Sequence, residues 1–337
     1  MIKIFEKLLE LIDHNQDSVL VTVIESTGST PREKGARMIV TKAGRASGTI
    51  GGGTIEYLAE ELGKICLEEK RNRIKDYNLA PNEVADLGMI CGGQVKVLFQ
   101  YIHPKQEGLV EVFTKLIDLL KMNQHFWLLS SICEEQNMPF LVFNDDDNYL
   151  EKKSYENLEE VRNRYLEEKG EKYFIEEFSQ QGKVYIFGGG HVAQALVPVL
   201  RELDFYCVVL EDREDFLSED LFPKANERLL VDFNKVGAKV TFTEKDYAVV
   251  ITRSHQFDYE IQKQLLATPI DYIGVMGSKR KTATQKELLK EEGYSLMDME
   301  RIYMPIGIEI KAETLKELAI SISGELILKR ACKNEKP

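Results

Sequence analysis

Val184-Tyr-Ile-Phe-Gly-Gly-Gly-His-Val-Ala193 joins a short apolar run to three glycines and the start of a helical pattern. Gly188, Gly190 and Ala193 match G-x-G-x-x-A. Alone the match says little. Here it follows a strand candidate and opens a helix candidate. Glu211 comes 21 positions after Gly190, at the end of the next apolar run. That is the context a dinucleotide fingerprint requires. The glycines let the backbone approach a pyrophosphate, the helix start offers free N–H groups, and the acid can take ribose hydroxyls. The alternative is a tight strand-to-helix turn that binds nothing. Gly188, Gly189, Gly190, His191, Ala193 and Glu211 are the expected cofactor-binding residues, with His191 reading equally as a capping residue.

Working outward, apolar runs at 205–210, 228–233, 247–252 and 272–276 alternate with helical patterns at 191–203, 256–267, 279–292 and 313–330. Short buried strands separated by helices imply a parallel sheet covered on both faces. Arg253, Ser254 and His255 follow one such strand, and Gly277-Ser278-Lys279-Arg280 follows the next. Both stretches fall at the carboxyl edge of the sheet, where ligands bind in this architecture. Two cations at a helix start oppose the helix dipole, so Lys279 and Arg280 point to an anion, with a solvated loop as the alternative.

Toward the amino terminus the pattern is mixed. Helices are expected at 2–14, 54–71 and 109–122, strands at 18–26, 36–41, 73–79, 95–102, 125–132 and 138–143, and a highly charged helix at 155–169. The polar stretch Ser179–Lys183 is the expected boundary. The fold class is therefore α/β: an N-terminal mixed α/β domain over 1–180, followed by a Rossmann-like, doubly wound parallel-sheet domain over 181–337. A second glycine-to-helix junction, Gly51-Gly52-Gly53-Thr54, offers N–H groups to an anion, with Thr54 as a cap. Glu56 in the first turn already satisfies the dipole there, so a plain turn is the competing reading. Arg32 and Arg37 could clamp a phosphate. Cys91, followed by Gly92 and Gly93, reads either as a small buried hydrophobe or as a thiol open to a ligand.

Composition excludes several classes. The 337 residues carry 44 Lys+Arg against 56 Asp+Glu, a net charge of −12. A protein that tracks a nucleic-acid backbone or docks on anionic lipid needs the opposite balance. No apolar run approaches the ~18–20 residues of a membrane span, and the first residues lack a signal-peptide core. A cytoplasmic protein is expected. The five cysteines are odd in number, their closest pair 25 positions apart, with no C-x-x-C, so reduced thiols are the default. No metal site follows from spacing.

Seven stretches in order, VTVIESTGSTPREKGARM, SGTIGGGTIE, GMICGGQVKVLF, IFGGGHVAQAL, VVITRSHQFD, IGVMGSKRK and PIGIEIKAETLKELAISI, resemble the signatures of the XdhC/CoxI family from about Val19 to Leu328. The resemblance implies an accessory protein of xanthine dehydrogenase and related molybdenum hydroxylases. Such a protein binds the molybdopterin-type molybdenum cofactor, protects it during sulfuration and hands it to the apo-enzyme. It also implies a homodimer, a cysteine desulfurase as a further partner, and a functional Cys91 that handles sulfur or contacts molybdenum, with Gly92 and Gly93 beside the cofactor. Two rivals follow from the residues. One is an NAD(P)-dependent oxidoreductase, for which Tyr259 and Lys263 form the only well-placed Tyr-x-x-x-Lys pair. The other is a non-catalytic nucleotide-binding regulatory protein.

Overall fold

The computed structural model describes residues 1–28, 30, 32, 34–78, 93–132, 140–143, 165–168, 171–180 and 182–334. The chain divides into two compact units, Met1–Gln180 and Gln181–Pro337.

The first unit runs α1 (Ile2–Asp13), β1 (Ser18–Thr27), β2 (Arg37–Thr41), β3 (Gly44–Gly48), α2 (Gly53–Glu69), β4 (Arg73–Asn78), β5 (Gln94–Ile102), α3 (Leu109–Lys121), β6 (Phe126–Ser131), β7 (Phe140–Phe143), β8 (Tyr165–Glu168) and β9 (Glu171–Phe178). Two antiparallel sheets result, ordered β3-β2-β1-β5-β4 and β7-β6-β9-β8. Alternation along β1 sends successive side chains to opposite faces. Val19, Val21 and Val23 pack with Ile55, Ala59 and Leu67 of α2. Leu20 packs with Phe5 and Leu8 of α1, and with Phe113 and Leu116 of α3. Phe126, Leu128 and Phe140 join that second core, so α1 and α3 serve both sheets.

The second unit runs β10 (Lys183–Phe187), α4 (His191–Glu202), β11 (Tyr206–Glu211), β12 (Glu227–Leu230), β13 (Tyr247–Val250), α5 (His255–Leu266), β14 (Tyr272–Val275), α6 (Lys279–Glu291), α7 (Leu296–Glu300), β15 (Ile302–Tyr303) and α8 (Leu315–Asn334). Its sheet is wholly parallel, ordered β12-β11-β10-β13-β14-β15. Tyr185 and Phe187 face α5 through Ile261 and Leu265. Val184 and Ile186 face α4 and α8 through Leu196, Val197, Ile322 and Leu326. Both faces are therefore covered, as expected for near-continuous apolar strands. Strand order reverses between β10 and β13, which places a ligand crevice at their carboxyl ends.

Three local expectations change. Tyr165–Glu168, expected within a charged helix, is a strand paired antiparallel with β9. Gly44–Gly48, where no element was expected, is a strand on the edge of the first sheet. In the second unit α7 and β15 add a sixth strand, and β11 reaches β12, and β12 reaches β13, through short helical turns (Glu214–Phe216 and Val236–Ala238) instead of full helices.

Candidate functional site

At the carboxyl end of β10 the glycine loop is held by the chain's own groups. Gly188 has φ +112°, and a Cβ there would lie 2.6 Å from the Ile251 carbonyl oxygen, so only glycine fits. A Cβ on Gly189 would lie 2.3 Å from the Phe216 carbonyl oxygen. Gly190 is the N-cap of α4, and a Cβ there meets nothing within 4 Å. Ala193 is fully buried against the sheet, while His191 is exposed at the first helical position.

Glu211 is buried, and both its oxygens are engaged. Oε2 accepts from the Gly189 amide at 2.7 Å. Oε1 accepts from Arg213 Nε at 2.8 Å and lies 3.4 Å from Arg253 Nη1. The acid expected to take ribose hydroxyls thus orders the loop beside it. Arg253 forms a two-pronged pair with Asp212, with Nη2 to Oδ2 at 2.8 Å. The hydrogen bonds from Arg253 hold the Asp212 carboxyl down to about 2. The guanidinium of Arg213 lies 3.8 Å over the Phe216 ring, and that of Arg253 lies 4.9 Å over Phe257.

Beyond Arg253 a cavity of about 620 Å³ opens at the ends of β13 and β14, lined by Thr252, Arg253, His255, Asp258, Met276, Gly277, Ser278 and Thr284. It lies between two helix starts. Ser254 caps α5 by accepting from the Gln256 amide at 3.2 Å. Asp258 is buried and accepts from the Thr252 amide at 3.0 Å and its hydroxyl at 2.7 Å, fixing the strand end against the first turn of α5. Lys279 and Arg280 open α6 directly after Ser278. Arg253, His255 and Ser278, picked out from sequence, are brought together here; Asp258 and Thr252 were missed. Their signal was present: a Thr at the end of a strand, with an Asp six positions on in a first helical turn.

The amino-terminal candidates have a different setting. Arg37 is buried; its guanidinium pairs with Glu176 of β9, donates to the Gly35 carbonyl at 2.9 Å and lies 5.5 Å over the Phe5 ring. It joins the two sheets and presents no fork to a ligand. Arg32 is exposed. At the second glycine junction, Gly52 rather than Thr54 is the N-cap, and Gly52 and Gly53 have φ +74° and +59°. The Glu56 carboxylate occupies that helix start, accepting from the Ile50 amide at 3.1 Å, the Gly52 amide at 3.0 Å, the Thr49 hydroxyl and Arg45. Burial alone would raise its pKa, but these bonds win and lower it.

Cys91 and Gly92 lie outside the described residues; Gly93 is buried. The strand ends that bound the segment 79–92 are described. Gln94 pairs with Thr27 of β1 and with Asn78 of β4, while Met38 pairs with Gly48 of β3. The described strand ends Thr27, Arg37, Gly48, Asn78 and Gln94 therefore lie at the same end of the sheet. A cavity of about 230 Å³ lies there, lined by Glu25, Thr27, Asp76, Tyr77, Asn78, Gln94, Val95 and Lys96. Burial pushes Cys66 up to about 11 and Cys207 up to about 12, whereas Cys332 is exposed.

Tyr259 and Lys263 are each engaged by acids, with the Lys263 ammonium 5.3 Å from the Tyr259 ring. The Tyr259 hydroxyl donates to Glu292 at 3.2 Å, and burial with that bond pushes it up to about 12. Lys263 pairs with Glu260 and Glu292. Among the described residues no cluster of His, Cys, Asp and Glu could hold a metal ion, and no helix is long and apolar enough to cross a membrane.

A parallel sheet of this order, with a glycine loop at the reversal and an acid ending the next strand, defines a Rossmann domain joined to a mixed α/β unit. Models of both parts match: the XdhC Rossmann domain over residues 184–326, and the XdhC and CoxI family over 11–78. The chain belongs to the XdhC and CoxI family. It is 23% identical over 337 residues to a probable xanthine dehydrogenase subunit from Bacillus subtilis, covering 97% of each chain. It is 23% identical over 324 residues to the uncharacterized protein YqeB of Escherichia coli, covering 96% of this chain but 46% of that one, so it spans about half of that relative's length. A crystal structure described as a xanthine dehydrogenase from Bacillus halodurans superposes with a TM-score of 0.70 at 25% identity, covering 98% of this chain and 96% of the other.

Proposed function

We propose that this protein serves a xanthine dehydrogenase-type molybdenum hydroxylase as an accessory factor, holding a molybdopterin-type molybdenum cofactor on its way into the apo-enzyme. The observation that carries the reading is the cavity of about 620 Å³ between the starts of α5 and α6, with Arg253 on its wall. In a chain of net charge −12, a small anion needs local donors, and this cavity offers Arg253 on its wall with the buried Asp258 beside it. Helix-start amides suit a phosphate ester, as does the Arg253 fork once it leaves Asp212, and Ser278 and Thr284 on the same wall suit the polar atoms next to it. When bound, the cofactor supplies the redox centre of the client enzyme. The chain's own part is to hold it, exclude water and release it. Cys91 supplies a soft ligand suited to molybdenum or to a transferred sulfur. The names of the Bacillus subtilis and Bacillus halodurans relatives support the choice of client. A homodimer and a sulfur-donating cysteine desulfurase belong to the same reading.

The test is a pull-down of a purified apo molybdenum hydroxylase with the full chain, with and without cofactor, followed by assay of the hydroxylase. The reading expects a complex and cofactor-dependent recovery of activity. No complex and no recovery would remove it.

A further inference from the structure

We propose that Arg253 and Asp212 form a strap across the glycine loop, which a phosphate-bearing ligand must open, and that Arg253 passes from Asp212 to the ligand when it does. The proposal rests on the reading above and names what admits phosphate to that site.

The geometry comes from strand order. Asp212 follows β11, Arg253 follows β13, and β10 lies between them in the sheet. Their two-pronged pair therefore spans the end of β10, where Gly188–Gly190 leaves the sheet and where the strand order reverses. The two sides of this strap are unlike. On the β11 side the chain fills its own crevice. Glu211 takes the Gly189 amide, the Phe216 carbonyl sits against Gly189, and Arg213 stacks on the Phe216 ring. These groups occupy the ground that the ribose of a dinucleotide would need. On the β13 side lies the cavity of about 620 Å³.

Arg253 belongs to both sides: it pairs with Asp212 and lines the cavity. A planar guanidinium fork matches carboxylate and phosphate with the same two donors. Its side chain is 40% exposed, so it can turn without disturbing the core. Asp212 keeps a cation after the exchange, because Arg213 Nε lies 3.7 Å from its Oδ1. A phosphoryl group carries more charge than a single carboxylate and outcompetes it at equal geometry. The closed strap reduces apparent affinity by the fraction of molecules that are open.

The test uses inorganic pyrophosphate, titrated calorimetrically into the full chain as wild type, Asp212→Asn, Arg253→Gln and the double variant, with melting curves to confirm folding. Asp212→Asn is expected to tighten binding by about threefold to tenfold. Arg253→Gln is expected to weaken it at least about tenfold, and Asp212→Asn is then expected to add nothing. Should Arg253→Gln fail to fold, Arg253→Lys keeps the charge without the fork and is expected to weaken binding severalfold. ADP-ribose is expected to bind no tighter than pyrophosphate, since the adenosine side is filled. A gain from Asp212→Asn of equal size in both backgrounds would overturn the strap and leave the anion site standing. ADP-ribose binding more than about tenfold tighter than pyrophosphate would overturn the filled β11 side. No pyrophosphate binding by any of the proteins would overturn the anion site and the strap together.

Discussion

The carboxylate of Glu211 accepts the backbone amide of Gly189 at 2.7 Å, so the acid that ends β11 is a structural partner of the glycine loop that ends β10. The bond crosses between neighbouring parallel strands and sets the loop before any ligand arrives. It also gives Arg213 and Arg253 a shared buried counter-charge.

Replacing Glu211 with Gln keeps the shape but removes the charge. One amide oxygen can still accept from Gly189, while two guanidinium groups lose an ionised partner. Stability is expected to fall by about 1–3 kcal/mol, as for hydrogen bonds to charged groups. Urea unfolding followed by circular dichroism measures it. A change within about 0.5 kcal/mol, the range of ordinary surface substitutions, would show that the Glu211 contacts carry no weight.

Gly189→Ala and Gly190→Ala separate the demands of the fold from those of a ligand. At Gly189 the new methyl meets the Phe216 backbone oxygen at 2.3 Å, and backbone cannot step aside as a side chain can. A loss of about 1–3 kcal/mol is expected. At Gly190 the methyl meets open space, with φ −75°. That variant is expected to melt with the wild type. Equal melting temperatures for the two would contradict the close approach of Phe216.

Acid dependence follows from Asp212. Its folded carboxyl is held down to about 2, against an ordinary value of 3.8. A depressed acid contributes stability that is present above the unfolded value and lost as pH falls through the folded one. Wild-type stability is therefore expected to decline between about pH 4 and pH 2 more steeply than that of Arg253→Gln, in which Asp212 returns toward its ordinary value. Thermal melts across that range make the comparison. Parallel curves would show that the pair does not hold in solution.

Thiol reactivity should divide by burial. Cys66 and Cys207, raised to about 11 and about 12, are protonated at pH 8 and shielded, so iodoacetamide is expected to leave them unmodified in the native protein. Cys332, exposed on α8, is expected to be alkylated within the same period. Peptide mass spectrometry before and after unfolding reads this directly. Native labelling of Cys66 or Cys207 would contradict their burial.

The parallel sheet was legible because its strands are short apolar runs between helical patterns, and because glycines punctuate the first turn. The edge strand Gly44–Gly48 was not. Two of its five residues are glycine and most of its surface is open, so it lacks the apolar alternation that marks a strand. β8 was missed for a related reason. Its charged residues fit a solvated helix, and its four residues are too few to carry a strand pattern against that. β15, at two residues, is too short to carry a pattern. At the site, the residue types at the carboxyl edge could be read, but their pairing could not. Nothing in the spacing says that Glu211 turns to Gly189, or that Arg253 reaches Asp212 across β10. Arg37 shows the same limit: its fork closes on Glu176, 139 positions away.

The most direct test of the central claim is mass spectrometry of the small molecules carried by the full chain, purified natively from a molybdate-fed host, with Cys91→Ser and Arg253→Gln alongside. The account predicts a pterin phosphate with molybdenum on the wild type, less of it on Arg253→Gln, and loss of molybdenum or its sulfur on Cys91→Ser. A nicotinamide dinucleotide in its place, or no pterin and no molybdenum on any of the three proteins, would contradict it.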